Sequence, residues 1–128
     1  MTKKFKIFVL DDEETITEIV TEFIEMAIKD TEVMTLNSSD VAIEHLSHNK
    51  YDLIVTDHQM PGQSGMSVLE KIRDEKSINY STPVIFLSAT HAVVQRELSS
   101  KFENVTVFNK VDSLHEVGNI VKNLLVDS

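Results

Sequence analysis

The chain has no cysteine, only 3 glycines and a shortage of positive charge, and each deficit removes a class of function. Without cysteine there is no disulfide framework, no thiol nucleophile and no thiolate metal site, a composition compatible with a reducing compartment. So few glycines supply no Gly-rich phosphate cradle, which excludes nucleotide binding through a Walker or dinucleotide motif. The 21 Asp and Glu outweigh the 12 Lys and Arg, for a formal charge of −9. That field repels a phosphate backbone, so direct nucleic-acid binding is not expected. The N-terminal MTKKFKIFVLDD is basic before it is apolar, but two Asp residues interrupt it far too early for a signal peptide. No run approaches membrane-spanning length. The 5 His residues are scattered without metal-site spacing. These absences describe a soluble, cytoplasmic protein with no membrane contact.

What is present is enough apolar material for one continuous core: 128 residues, 41% of them hydrophobic. A single domain over residues 1–128 is expected. Short runs rich in β-branched and aromatic residues occur at Phe5–Leu10, Glu32–Leu36, Asp52–Thr56, Pro83–Leu87 and Val105–Phe108, and their brevity predicts strands. Between them lie segments with helical spacing. Ile16, Ile19, Val20, Phe23 and Ile24 form one apolar face, and Leu114, Val117, Ile120, Val121 and Leu124 form another. A second helix is expected to turn Val41, Ala42 and Leu46 inward behind a Ser39 cap. A third is marked by Met66, Leu69 and Ile72. A fourth, about His91 to Phe102, has Val94 and Leu98 as its inward pair. Met26, Met34 and Met66 read as core filler.

Strand and helix thus alternate five times. Continuous apolar strands in such an order predict an α/β fold, a doubly wound five-stranded parallel sheet, (βα)5, of flavodoxin-like type. In open sheets of this kind the working site lies beyond the carboxyl ends of the strands. The polar residues there are Asp11 and Asp12 after the first strand, Asp57 after the third, Ser88 after the fourth and Lys110 after the fifth. Three carboxylates brought together repel one another, and an all-oxygen set favours Mg²⁺, with Mn²⁺ the alternative, over zinc. Lys110 adds a fixed positive charge and Ser88 a hydroxyl donor. Together these groups suit a phosphoryl group, and Asp57 can serve as nucleophile to form an acyl phosphate.

The paired acids Asp11 and Asp12 with Glu13, the run Asp57-x-x-Met60-Pro61-x-x-x-Gly65, the pair Ser88-Ala89 and Lys110 occur in order and in register. In these motifs, and over essentially its whole length, the chain resembles the CheY-like receiver domains of two-component response regulators. The resemblance implies that Asp57 accepts a phosphoryl group from a histidine kinase or a histidine phosphotransfer protein, in a chain that catalyses its own phosphoryl transfer and autodephosphorylation. It implies that Asp12 and Asp57 ligate Mg²⁺ directly, that Asp11 assists through water and that the Gln59 backbone carbonyl completes the set. It further implies that Ser88 moves toward the phosphoryl group, that Lys110 pairs with it, and that Gln59 and Thr90 flank the pocket and govern access of water. The signal would pass to a downstream protein target.

Two positions depart from the family pattern. Val111 follows Lys110 where receivers usually carry a cis Pro; a cis bond before Val costs about 2.5–4 kcal/mol, so a trans bond is expected. Val107 stands where many receivers carry an aromatic switch residue, which leaves output to backbone movement and the Ser88 shift, or reduces it. The departures keep open a phosphate-independent interaction module. A metal-dependent phosphatase acting on an exogenous substrate is weaker, because Gln59 stands two residues after Asp57 where a leaving-group acid is needed. His58, by strand alternation, points away from the site.

Overall fold

The computed structural model describes residues 4–58, 60, 62–89, 96–98, 100–110 and 114–126. Five strands form one sheet: β1 (Phe5–Leu10), β2 (Thr31–Leu36), β3 (Leu53–Asp57), β4 (Val84–Ser88) and β5 (Val105–Asn109). The helices are α1 (Glu14–Ala27), α2 (Ser39–His48) and α3 (Gly65–Ile72), then α4, of which residues 96–98 and 100–101 are described, and α5 (Val117–Leu125) behind a 3₁₀ turn at Leu114–Glu116. Every strand lies within one residue of its sequence-based bounds. All pairings are parallel, and the strand order is β2-β1-β3-β4-β5. The expected doubly wound (βα)5 sheet is therefore the fold.

Strand periodicity sorts the core into two layers. Phe8, Leu10, Ile54 and Phe86 face one side and pack with Ala42, Leu46, Val68, Leu69, Ile72 and Leu98, so α2, α3 and α4 cover that face. Ile7, Val9, Leu53, Val55, Ile85 and Leu87 face the other side and meet Val20, Ile24, Val117 and Val121 of α1 and α5. The central strands β1, β3 and β4 bury side chains in both directions because helices close both faces. At about 25 cal/mol per Å² of apolar area removed from water, these layers are the main favourable contribution to folding.

Three capping and packing expectations are corrected. The cap of α2 is Ser38, whose Oγ accepts from the Val41 N–H, while Ser39 is the first helical residue and is buried. Val41 points outward and is 54% exposed, leaving Ala42 and Leu46 as the inward residues. Met26 and Met34 are 81% and 38% exposed rather than core filler; only Met66 packs partly against the core. Met26 stands in the last turn of α1 and Met34 on the edge strand β2. Val94 lies outside the described residues.

Candidate functional site

The sheet order makes β1 and β3 neighbours although β2 intervenes in sequence. Their carboxyl ends form the crevice where the winding direction reverses, the position at which open α/β sheets bind ligands. Asp11 leaves β1 and Asp57 ends β3. Carboxylate oxygens of Asp11, Asp12 and Asp57 all lie within 4.8 Å of one another, with Asp11 and Asp57 buried and Asp12 open to solvent. Lys110 reaches in from beyond β5 and places Nζ 3.0 Å from Asp11 Oδ2 and 3.2 Å from Asp57 Oδ2. Its own N–H donates to the Ser88 carbonyl at 3.0 Å, so backbone pairing carries Lys110 and the buried Ser88 to the same rim.

Local backbone geometry orients the acids. Asp11 Oδ1 accepts from the Glu13 N–H at 2.9 Å, and Asp57 Oδ1 accepts from the His58 N–H at 2.8 Å. The loop after Asp57 then folds back on itself: the Gly65 N–H donates to the His58 carbonyl at 3.0 Å. A Cβ at Gly65 would stand 2.0 Å from the Asp57 carbonyl oxygen, so only glycine permits that closure. The reason for Gly65 is close approach to backbone, whereas Gly62, at φ +80°, supplies the left-handed turn geometry. The His58 ring packs on Phe86 with centroids 5.5 Å apart, turned from the carboxylates as alternation required.

One lysine does not neutralise the cluster. Burial pushes the Asp11 pKa up to about 6, against the opposing pull of the Glu13 N–H and Lys110 and with a further upward push from Asp57. Burial also raises Asp57, with Lys110 opposing it. Burial disfavours charge on Lys110, but Asp11 and Asp57 outweigh it and hold that pKa above its ordinary value. Asp11 Oδ2 is buried and, although it faces the Lys110 ammonium, takes no hydrogen bond of regular geometry. Hard oxygen donors, surplus negative charge and an incompletely satisfied buried oxygen fit a divalent hard cation.

The comparisons with known proteins agree with this geometry. Residues 7–121 match the model of the response regulator receiver domain. The chain belongs to that family. This receiver is 32% identical over 84 residues, 66% of its length, to the transcriptional regulatory protein DltR of Streptococcus agalactiae, and 36% identical over 91 residues, 69% of its length, to ResD of Bacillus subtilis. It covers 35% and 34% of those proteins, and so spans about a third of the curated regulators it matches. Against the chemotaxis protein CheY-3 of Vibrio cholerae it is 25% identical, covering 91% of this chain and 95% of that one. Among solved structures, the receiver domain of a Francisella response regulator superposes with a TM-score of 0.76 at 28% identity, covering 94% of this chain and 96% of that one. The receiver domain of the Pseudomonas aeruginosa sensor histidine kinase PA1611, solved with magnesium in its active-site cleft, shares the fold at 19% identity and a TM-score of 0.78, covering 95% and 98% of the two chains.

Of the residues singled out in the sequence, Asp11, Asp12, Asp57, Ser88 and Lys110 assemble at this rim. Val107 does not reach it; half-buried in β5, it pairs in register with Phe86 and packs against the Phe86 side of the core. Gln59, Thr90 and the Lys110–Val111 bond lie outside the described residues. Sequence reasoning missed Asn37, whose Nδ2 donates to the Asp11 carbonyl at 2.8 Å, and the contact of Ser39 with the loop after Asp57. Both residues sit where β2 runs into α2, and polar residues there read as ordinary turn and cap formers. Among the described residues, no helix is long and apolar enough to cross a membrane.

Proposed function

We propose that this receiver is a phosphorylation-dependent signalling switch of a two-component or phosphorelay system, with Asp57 as its phosphoryl acceptor. The observation that carries this reading is the meeting of three carboxylates within 4.8 Å beside a lysine in contact with two of them. Asp12 and Asp57 would hold Mg²⁺ or Mn²⁺ directly, with Asp11 acting through water and the Gln59 carbonyl completing the set. When bound, the cation supplies the positive charge that a phosphoryl group of about −1.5 to −2 requires in an acidic pocket.

The chain's own groups account for the rest. The His58 N–H fixes one Asp57 oxygen, which leaves the carboxylate oriented for attack on phosphorus. As the new P–O bond forms, the P–N bond of the phosphohistidine donor breaks and its imidazole takes up a proton. Lys110 exchanges part of its pairing with Asp57 for the phosphoryl oxygens, and the Ser88 hydroxyl donates to them. Attack by water on the acyl phosphate resets the switch, with Gln59 and Thr90 flanking its approach. The donor is a histidine kinase or phosphotransfer protein and the target a further protein in the cytoplasm. The −9 charge argues against nucleic acid as a direct partner.

A second reading, an interaction module independent of phosphate, draws on Val107, whose small half-buried side chain has no aromatic swing to couple to Ser88. Incubation with acetyl phosphate, with and without Mg²⁺, followed by intact-protein mass measurement, separates the two. The switch gains one phosphoryl mass only with Mg²⁺ and loses that gain in Asp57→Asn. No gain under conditions that modify a control receiver would leave the interaction module.

A further inference from the structure

The acids of the cluster come from the ends of β1 and β3, yet the junction of β2 and α2 touches both acid-bearing loops while contributing no acid to the cluster. Asn37, an exposed residue just past β2, donates from Nδ2 to the Asp11 carbonyl at 2.8 Å and to Thr17 Oγ1 of α1 at 3.4 Å. Two residues on, the buried Ser39 Oγ accepts from the Gln63 N–H at 3.1 Å. Gln63 lies in the loop that Gly65 closes onto the end of β3. The junction is itself anchored, because Ser38 caps α2 and its carbonyl accepts from the Ala42 N–H at 2.9 Å. A short, capped turn thus grips the backbone beside Asp11 and Asp12 with one hand and the backbone after Asp57 with the other.

We infer that Asn37 and Ser39 are positioning residues that brace the two acid-bearing loops against each other and so set the separation at which Asp11, Asp12 and Asp57 meet a divalent cation. This rests on the functional reading above. Three carboxylates within 4.8 Å drive their loops apart by mutual repulsion, and hydrogen bonds from neutral groups resist that movement without adding charge. A small hard cation demands near-ideal ligand geometry, so loosening either loop reduces its affinity. Removing outer-shell partners of a metal site typically costs about 10- to 100-fold in affinity.

The test is a Mg²⁺ titration followed by backbone amide shifts on the wild type, Asn37→Ala and Ser39→Ala. Asn79→Ala, a buried asparagine at the opposite end of the sheet, is the control for general destabilisation. Each brace variant is expected to bind Mg²⁺ about tenfold more weakly than wild type, while Asn79→Ala melts earlier with its Mg²⁺ affinity unchanged. Unaltered affinity in both brace variants, or an equal loss in Asn79→Ala, overturns the brace. Should the alanine variants not fold, amide hydrogen exchange on the wild type decides: a slow Gln63 amide supports the contact with Ser39, and a fast one overturns it. A wild type that takes up neither Mg²⁺ nor a phosphoryl group overturns the functional reading and the brace with it; wild-type binding that the brace variants share sinks the brace alone.

Discussion

The two ends of the sheet treat buried polar groups in opposite ways. At the amino end, Asn79 is fully buried and uses its whole amide: Oδ1 accepts from the Tyr51 N–H and the Thr82 hydroxyl, both at 3.0 Å, and Nδ2 donates to the Leu46 and Asn49 carbonyls, both at 2.9 Å. Beside it Arg73 spends its guanidinium on the carbonyls of Asn79, Tyr80, Glu103 and Asn104. Burial lowers the Arg73 pKa, yet the four carbonyls engage four of its five N–H donors. At the carboxyl end, two buried carboxylates and one exposed one share a single described lysine, and Asp11 Oδ2 takes no regular hydrogen bond. Satisfied polar groups stabilise a fold, and charge left in surplus costs it stability while making a site able to receive a cation and a phosphoryl group.

Breaking the amino end gives the largest effect expected on stability. Asn79→Ala deletes four hydrogen bonds and leaves the Tyr51 N–H and two carbonyls without their partner, at a cost of about 3–5 kcal/mol in denaturant unfolding. Acidic-site chemistry should survive wherever that variant is folded.

The carboxyl end is sharpened by pH. The folded Asp11 pKa of about 6 lies above its ordinary 3.8, so between those values the folded state holds the proton that the unfolded chain has lost. Metal-free stability is therefore favoured below pH 3.8 as far as this group is concerned, and falls as pH rises to about 6, by on the order of 3 kcal/mol. Asp57 adds in the same direction. Because a cation needs the ionised carboxylates, the rise in melting temperature on adding Mg²⁺ should be small at pH 5 and large at pH 7.5. A Mg²⁺ effect independent of pH would show that these acids do not hold it.

Gly65→Ala attacks the same end through its backbone. The added methyl would meet the Asp57 carbonyl at 2.0 Å and force α3 away from β3. An expected loss of about 1–3 kcal/mol in denaturant unfolding should come with impaired phosphoryl uptake from acetyl phosphate, unlike the Asn79 variant. The smallest effect belongs to Ser38→Ala. The cap contact to the Val41 N–H is long, at 3.5 Å, so about 0.5 kcal/mol of unfolding free energy is expected to be lost. A larger loss would mean that the junction of β2 and α2 holds more than the start of one helix.

Much of this was legible in the chain. Asp11, Asp12, Asp57, Ser88 and Lys110 could be picked out because each follows an apolar run, and parallel strands bring their carboxyl ends to one edge. The choice between Ser38 and Ser39 as cap was not legible, since adjacent serines offer the same side chain and only the helix start decides between them. Val41 was misread because, beside Ala42, helical spacing alone does not say which of two adjacent apolar residues faces the sheet. Asn37 gave no signal at all: an asparagine after a strand is a turn residue until the carbonyl it reaches is known.

The sequence by itself determined the alternation of strands and helices, the two-layered core and the identity of the acids at the strand ends, because burial pattern and side-chain period are local properties of the chain. Only the tertiary structure decided that β1 would lie against β3, that Gly65 would close onto the Asp57 backbone and that Asn37 and Ser39 would grip the two acidic loops. It also decided how far Asp11 would be driven from its ordinary pKa. Those outcomes depend on which distant segments become neighbours and how much water they exclude, and distance and desolvation exist only once the chain has folded.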